Sequence, residues 1–136
     1  MLLENIKHND QQVSFEQAVK QGLGRDRGLF FPKQIKKLSN IDELLALPFI
    51  KRSSIVLSHL LNDEISQADL EDMLTNAFEF PAPLKQVSEN IHSLELFHGP
   101  TLAFKDFGAR FMAQCLKKFN QQGQLTILTA TSGDTG

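Results

Sequence analysis

Cysteine is nearly absent from this sequence, which holds a single thiol at Cys115. One cysteine excludes an internal disulfide, and without a neighbouring Cys or His it makes no metal-binding pattern. The histidines are scattered and lack the spacing of metal ligands, and they are His8, His59, His92 and His98. We therefore predict no metal site and interpret Cys115 as a small buried apolar side chain.

Excess basic charge and long apolar runs are also missing. The formal net charge is -2 and the pI is about 6.1, and no stretch is dense in Lys and Arg, so nucleic acid is not an expected partner. The opening "MLLENIKHND" builds no apolar segment of signal-peptide or membrane-spanning length. Neither GxxxxGK[ST] nor GxGxxG occurs, so nucleotide binding is not supported. We expect a cytoplasmic protein without a membrane partner.

What remains is the composition of one ordinary soluble domain, with 136 residues, 41% hydrophobic and 22% charged. The first 80 or so residues predict four short amphipathic helices. Ser14 and Gln17 stand in capping-box spacing ahead of the first helix, and Ser66 and Asp69 form a similar pair ahead of the fourth. The compact apolar run "GLFFP" at residues 28–32 predicts a buried strand or extended segment.

The pattern changes at "FPAPL", where two prolines force an extended connection. Beyond it, "SLELFHG" predicts a strand, "FKDFGARFMAQCLKKF" a helix and "LTILTAT" a second strand. Two parallel strands joined by a crossover helix form a βαβ unit, the opening of an open α/β sheet whose ligands lie beyond the carboxyl ends of the strands. We predict a mixed α/β fold with a largely helical module at residues 1–83 and an incomplete sheet domain at residues 84–136.

Lys105 lies in the first turn of the predicted crossover helix, between two phenylalanines in "HGPTLAFKDFG". The helix N-terminus carries partial positive charge and aromatic neighbours exclude water, so both effects favour a neutral amine. A lysine with a lowered pKa is a nucleophile that forms Schiff bases with carbonyl compounds. The ordinary alternative is a solvated surface lysine, and spacing alone does not decide between the two.

The last eight residues, "TATSGDTG", follow an apolar stretch and end in small and hydroxyl side chains. A strand followed by such residues at the start of a helix offers free backbone N–H groups to a carboxylate or phosphate. The alternative is a polar turn in which Ser132 or Asp134 caps a helix.

Taken together, "LFHGPTLAFKDFGARFMAQ" and "TILTATSGDTG" resemble the threonine synthase family, pyridoxal-phosphate enzymes of the tryptophan-synthase-β-like, fold-type II class. "QVSFEQAVKQGLGRDRGLFFP" and "FPAPL" are similar to the same family, so the resemblance spans nearly the whole chain. It implies that Lys105 holds pyridoxal phosphate as a Schiff base and moves protons. It also implies that Ser132, Gly133, Asp134 and Thr135 grip the substrate carboxylate, with Asp134 beside the cofactor.

The implied activity is a carbon–oxygen lyase reaction in threonine biosynthesis, in which O-phosphohomoserine and water become threonine and phosphate. Because family members are far longer, we interpret the chain as an N-terminal fragment that is inactive alone and does not retain the cofactor. Two alternatives stay open: a phospholyase or other elimination enzyme on the same scaffold, and a non-catalytic interaction module. An unfinished sheet with exposed apolar surface favours self-association.

Overall fold

The computed structural model describes residues 1–120 and 123–133. Along the chain the elements are β1 (Leu3–Asn5), β2 (His8–Val13), α1 (Phe15–Gln21), β3 (Phe30–Pro32), α2 (Ile41–Leu45), α3 (Phe49–Leu61), α4 (Gln67–Ala77), β4 (Leu84–Ser88), β5 (Ile91–Leu94) and α5 (Lys105–Phe119). Helices and small antiparallel sheets confirm the mixed α/β class.

Besides the four predicted helices, the N-terminal region contains a three-stranded sheet in the order β2-β1-β3. Both pairings are antiparallel, with Leu3 opposite Val13 on one side and Pro32 on the other. The strand expected from "GLFFP" is confirmed as β3. β1 and β2 were missed because β1 has only three residues and β2, "HNDQQV", is almost entirely polar, so neither shows an apolar alternation.

A buried asparagine organises the loop that leads into β3, which we call the Asn5 loop (residues 24–28). Asn5 is fully buried, and its Nδ2 donates to Gln11 Oε1 at 2.7 Å and to the Arg25 carbonyl at 3.1 Å. Its Oδ1 accepts from the Lys7 N–H at 2.9 Å. A side chain on Gly28 would place Cβ only 1.8 Å from Asn5 Oδ1, so the loop closes here only around glycine.

The predicted helix starts are confirmed where a local cap specifies them. Ser14 Oγ accepts from the Gln17 N–H at 3.1 Å, while Gln17 Oε1 accepts from the Ser14 N–H at 2.9 Å, the reciprocal pair of a capping box. Ser66 likewise accepts from the Asp69 N–H at the start of α4. These caps satisfy backbone donors that have no partner within the helix. Because each cap depends on residues three positions apart, it can be predicted from the sequence.

The hydrophobic core joins α3, α4 and α5. Its buried members are Leu61, Ile65, Leu70, Met73 and Cys115. Cys115 is 1% exposed, and burial raises the pKa of its thiol to about 11, which confirms its interpretation as a buried apolar side chain. The core includes residues from both sides of the predicted domain boundary at residues 83 and 84, because Cys115 of α5 packs with residues of the N-terminal module.

The predicted βαβ unit is not formed in the described part of the chain. β5 pairs with β4 in an antiparallel hairpin whose turn is Glu89 and Asn90, and residues 124–130 carry no strand assignment. A two-residue connection makes this pairing local, so little loop entropy opposes it, whereas a parallel partner would have to return across α5. The expected strand at "SLELFHG" is therefore shifted toward the N-terminus, to Ile91–Leu94.

Candidate active site

Lys105 is the first residue of α5, as the sequence predicts, and its side chain is half-buried. The helix is reached through a tight turn, residues 99–106, which we call the Asp106 turn. Backbone hydrogen bonds from the Leu102 N–H to the Gly99 carbonyl and from the Asp106 N–H to the Ala103 carbonyl, each 3.1 Å, close it. Lys105 is therefore presented at the junction between an ordered turn and a packed helix.

Asp106 is the buried centre of this turn, with 5% of its surface exposed. Its Oδ2 accepts from the Thr101 N–H at 3.0 Å, and its Oδ1 accepts from the Thr101 hydroxyl at 2.8 Å. A Cβ on Gly99 would lie 2.3 Å from Asp106 Oδ2, so the chain passes over the carboxylate only because residue 99 is glycine. Sequence reasoning missed this role, although a threonine five residues before a helix-starting aspartate was the available signal.

Leu102 shows that the turn is held under strain. Its φ is +58°, a left-handed conformation that is unfavourable for a bulky side chain without a stabilising environment. The side chain is 74% exposed, so packing does not stabilise the conformation. We attribute the left-handed conformation of Leu102, three residues before Lys105, to the hydrogen bonds of the Asp106 turn.

The two phenylalanines that flank Lys105 have different surroundings. Phe107 lies in an aromatic cluster with Phe49, Phe78 and Phe80, at ring centroid distances of 6.5, 5.3 and 4.8 Å. Such offset and edge-on contacts anchor the first turn of α5 to α3 and to the segment after α4. Phe104 is instead 64% exposed, so this ring does not pack in the core.

Arg110 forms a second attachment of α5, to the end of α4. Its Nε donates to the Ala77 carbonyl at 2.6 Å and its guanidinium donates to the Asn76 carbonyl at 3.0 Å. The same group pairs with Glu79 and lies 5.8 Å from the centre of the Phe80 ring. These carbonyls end α4, where the helix dipole is negative, so a guanidinium is well suited to bind them.

The second predicted stretch lies in an exposed segment after α5. Ser132 and Gly133 are exposed, Gly133 has a φ of +120°, and its N–H donates to Thr131 Oγ1 at 3.1 Å. This backbone conformation requires glycine and aims the peptide groups around it in directions unavailable to other residues. Asp134 and Thr135, the other two predicted site residues, lie outside the described residues.

Two titratable side chains just before this turn, Glu95 and His98, pair with each other. His98 Nε2 lies 2.8 Å from Glu95 Oε2, and its ring contacts Phe97 at 4.7 Å. Within residues 1–120 and 123–133 no three His, Cys, Asp or Glu side chains gather as a metal site would need. No helix in that same part of the chain is long and apolar enough to cross a membrane.

Comparison with known proteins finds similarity to threonine synthases. The family described as "Threonine synthase N terminus" matches residues 5–78, more than half of the chain. The "Threonine synthase" of Haemophilus influenzae is 63% identical over all of this chain, which spans 32% of that protein. The chain thus spans about a third of the length of the curated relatives it matches.

Two solved structures have the same fold over nearly the same residues. "Crystal Structure of Threonine Synthase from Escherichia coli" matches with a TM-score of 0.93 and 55% identity, covering 99% of this chain and 32% of that one. A structure from Brucella melitensis, described as PLP bound threonine synthase, matches with a TM-score of 0.77 and 31% identity, covering 88% of this chain and 27% of that one. The matches extend beyond residues 5–78, so the likeness includes the region of α5.

Proposed function

This chain belongs to the threonine synthase family, and from that premise we propose that it forms the N-terminal part of a cytoplasmic pyridoxal-phosphate enzyme, a carbon–oxygen lyase. The proposed reaction converts O-phosphohomoserine and water into threonine and phosphate. Lys105 is the proposed catalytic residue and the covalent anchor of the cofactor. The observation that carries the proposal is the placement of this lysine on a structured turn at the start of α5.

The residues present suit the aldehyde end of this cofactor. A primary amine on a flexible four-carbon stem is the group that condenses with an aldehyde, and Lys105 offers it from a backbone that the Asp106 turn and the Phe107 cluster hold in place. Pyridoxal phosphate, when bound, supplies an electron sink that stabilises negative charge on substrate carbon. We assign this chain the anchoring amine and the orientation of that amine.

Lys105 is also the proposed proton carrier. An unprotonated Nζ accepts a proton and an ammonium Nζ donates one, so one flexible side chain can move a proton between adjacent substrate carbons. A fixed backbone with a mobile stem suits that task, because the reach of Nζ changes while its origin does not. The attachments of α5 through Phe107 and Arg110 support this assignment, since they fix the Cα of Lys105 relative to the core.

The segment that contains Ser132 and Gly133 is the proposed binding loop for the substrate carboxylate, together with Asp134 and Thr135. Backbone N–H groups beside a glycine of positive φ and neighbouring hydroxyls are suitable donors to a carboxylate. Asp134 is proposed to lie beside the cofactor. A chain of this length is proposed to be inactive alone, because two thirds of its relatives' length carries other parts of their structures.

Self-association also stays a prediction. The hairpin β4–β5 exposes Leu84 and Leu94, which face each other across the strands and are 64% and 58% exposed. Exposed apolar pairs on a hairpin support contact with other protein surface. Light scattering of the full-length protein over a wide concentration range tests this, and a strictly monomeric mass would count against it.

Borohydride trapping tests the function proposed here. Full-length protein is incubated with pyridoxal phosphate, reduced and digested, and the modified peptide is identified by mass spectrometry. We expect the label on Lys105, its loss in Lys105→Ala, and its retention in Lys85→Ala, a control at an exposed lysine of β4. In a separate assay without reduction or digestion, the full-length protein with pyridoxal phosphate should form threonine and phosphate from O-phosphohomoserine. Labelling at another lysine, or none, would reject Lys105, and a different product would favour the phospholyase alternative.

A further inference from the structure

We infer that Asp106 is a positioning residue for Lys105: its buried carboxylate holds the turn that presents the amine, and it does so through geometry rather than charge. This inference rests on the proposed function, in which Lys105 is the reactive amine. It concerns a residue that contacts neither cofactor nor substrate in the proposal. Asp106 acts through the backbone that leads into α5.

The first step is that both carboxylate oxygens are engaged by one residue of the turn. Oδ2 accepts from the Thr101 N–H and Oδ1 from the Thr101 hydroxyl, and the carboxyl is 5% exposed. Two hydrogen bonds from one residue fix the orientation of the carboxylate as well as its distance. Residues 101 and 106 therefore move as a unit, with Lys105 between them and directly bonded to Asp106.

The second step is that the backbone at Gly99 packs directly against the Asp106 carboxylate. A Cβ on Gly99 would lie 2.3 Å from Asp106 Oδ2 and 2.8 Å from its Cβ, so the backbone at residue 99 touches the Asp106 side chain. Gly99 therefore contacts the Asp106 side chain in addition to the hydrogen bonds from Thr101. A carboxylate held between Thr101 and Gly99 cannot change rotamer without opening the turn.

The third step is that the turn contains backbone strain that must be held from outside. Leu102 has a φ of +58° and a side chain that is 74% exposed. Strained residues of this kind persist where the surrounding contacts over-determine them, and they collect at functional sites. Here the Leu102 N–H donates to the Gly99 carbonyl at 3.1 Å, and Asp106 fixes the neighbouring Thr101. The residue three positions after Leu102 is Lys105.

Substitutions of Asp106 can test the hydrogen-bonding geometry of its side chain separately from its charge. In Asp106→Asn the amide oxygen still accepts from the Thr101 N–H, and the amide NH₂ donates to the Thr101 hydroxyl, which serves as either donor or acceptor. Asn therefore preserves the turn without the negative charge, whereas Asp106→Ala removes both. A geometric role predicts that Asn behaves like the natural residue and Ala does not.

The experiment compares Asp106→Ala, Asp106→Asn, Thr101→Val and Thr101→Ser in the full-length protein. The first readout is the rate of reductive methylation of Lys105 relative to exposed Lys85 in cofactor-free protein, followed by peptide mass spectrometry. The second is the yield of borohydride-trapped pyridoxal phosphate on Lys105. Asn5→Ala is the matched control, because Asn5 is also buried and also contacts a glycine in a loop, but far from Lys105 in sequence.

We expect Asp106→Ala to change the methylation ratio by about threefold or more and to lower the trapping yield by about tenfold, since small displacements of a reacting group are costly. Asp106→Asn and Thr101→Ser should stay within about twofold of the natural protein, with Thr101→Val between these limits. Asn5→Ala should lower the unfolding midpoint and leave both readouts unchanged. If Asp106→Ala does not fold, the Val and Ser variants of Thr101 make the same comparison.

Three outcomes would overturn the inference. An Asn variant as impaired as the Ala variant would show that charge matters rather than the turn. Equal effects of Asn5→Ala and Asp106→Ala on the methylation ratio would show general loosening of the fold. No effect of Asp106→Ala on either readout would remove the role. Failure of natural protein to trap cofactor on Lys105 would instead reject the proposed function, while the methylation ratio would still test Asp106.

Discussion

In two loops of this protein a buried polar side chain packs against a glycine, but the hydrogen bonds of that side chain connect different parts of the structure. In the Asn5 loop a buried amide touches Gly28, and in the Asp106 turn a buried carboxylate touches Gly99. Both contain non-glycine residues of positive φ, among them Asp26 at +53° in the first and Leu102 at +58° in the second. In each case a polar side chain without access to water supplies hydrogen bonds that the backbone needs.

The difference lies in what the hydrogen bonds connect. Asn5 donates and accepts, and so links β1 to the turn at Lys7, to β2 at Gln11 and to the loop before β3 at Arg25. The carboxylate of Asp106 accepts both of these hydrogen bonds from Thr101, and Asp106 directly follows the proposed reactive lysine in the chain. The first arrangement stabilises a fold, whereas the second fixes one local geometry. Buried polar groups therefore have to be interpreted by their partners rather than by their burial.

The largest effect should follow from Gly28→Ala in the Asn5 loop. The new Cβ would overlap Asn5 Oδ1, so the buried amide must move and lose its three hydrogen bonds, at a cost of about 2–4 kcal/mol. Urea unfolding followed by circular dichroism measures the loss, and methylation of Lys105 should not change. Gly108→Ala is the control, because that position has open space within α5 and alanine favours helix. A Gly28 variant as stable as the natural protein would contradict this reading of the loop.

Gly99→Ala should cost somewhat less stability and yet disturb Lys105. Its Cβ would displace a carboxylate that makes two hydrogen bonds, for which we expect a loss of about 2 kcal/mol. The rate of Lys105 methylation relative to Lys85 should shift, unlike in Gly28→Ala. If both glycine variants affected Lys105 equally, the two loops would not be functionally distinct.

Leu102→Gly should stabilise the protein modestly. Glycine removes a left-handed penalty of about 1–2 kcal/mol and adds about 0.5–1 kcal/mol of entropic cost, leaving a net gain of about 0–1.5 kcal/mol. Asp26→Gly in the Asn5 loop should gain less, because aspartate tolerates positive φ better than leucine. Thermal unfolding midpoints compare the two. A destabilised Leu102→Gly would mean that the leucine side chain makes contacts of its own.

The smallest effect concerns the ion pair at the edge of the Asn5 loop. The hydrogen bond from Arg25 lowers the pKa of the exposed Asp10 carboxyl below its ordinary value of 3.8. A lowered pKa stabilises the fold above pH 3.8, and this contribution is lost as the pH falls through the lowered value. The difference in thermal midpoint between natural protein and Asp10→Asn should therefore be constant near neutral pH and shrink in acid. Added salt should also reduce it, and a difference that grows in acid would have the wrong sign.

The sequence was a good guide wherever structure depends on neighbouring residues. The capping pairs Ser14 with Gln17 and Ser66 with Asp69 span three residues, and each helix starts where they predict. Lys105 was correctly placed in the first turn of α5 because an apolar helical pattern begins there. Its role and those of the loop at residues 132–135 stay predictions.

Predictions failed where the partner is distant or its direction is not encoded locally. No local pattern identifies the partners of Arg110, because its acceptors are carbonyls 33 and 34 residues away. The segment at 125–131 has a strand-like composition, yet a strand needs a neighbour, and within the described residues β5 pairs only with β4. β1 was invisible because three residues carry no pattern, and it exists only through β2 and β3.

By itself the sequence determined the helix caps, the buried character of Cys115, the family and the position of the candidate lysine, since each depends on residue types at short spacing. Only the tertiary structure decided which polar side chains are buried, which glycines touch them, and how α5 is attached to the core. Those properties depend on contacts between residues far apart in the chain, whose free energy exists only once the backbone has brought them together. The role of Asp106 combines both, because its contact with Thr101 is local while its burial is not.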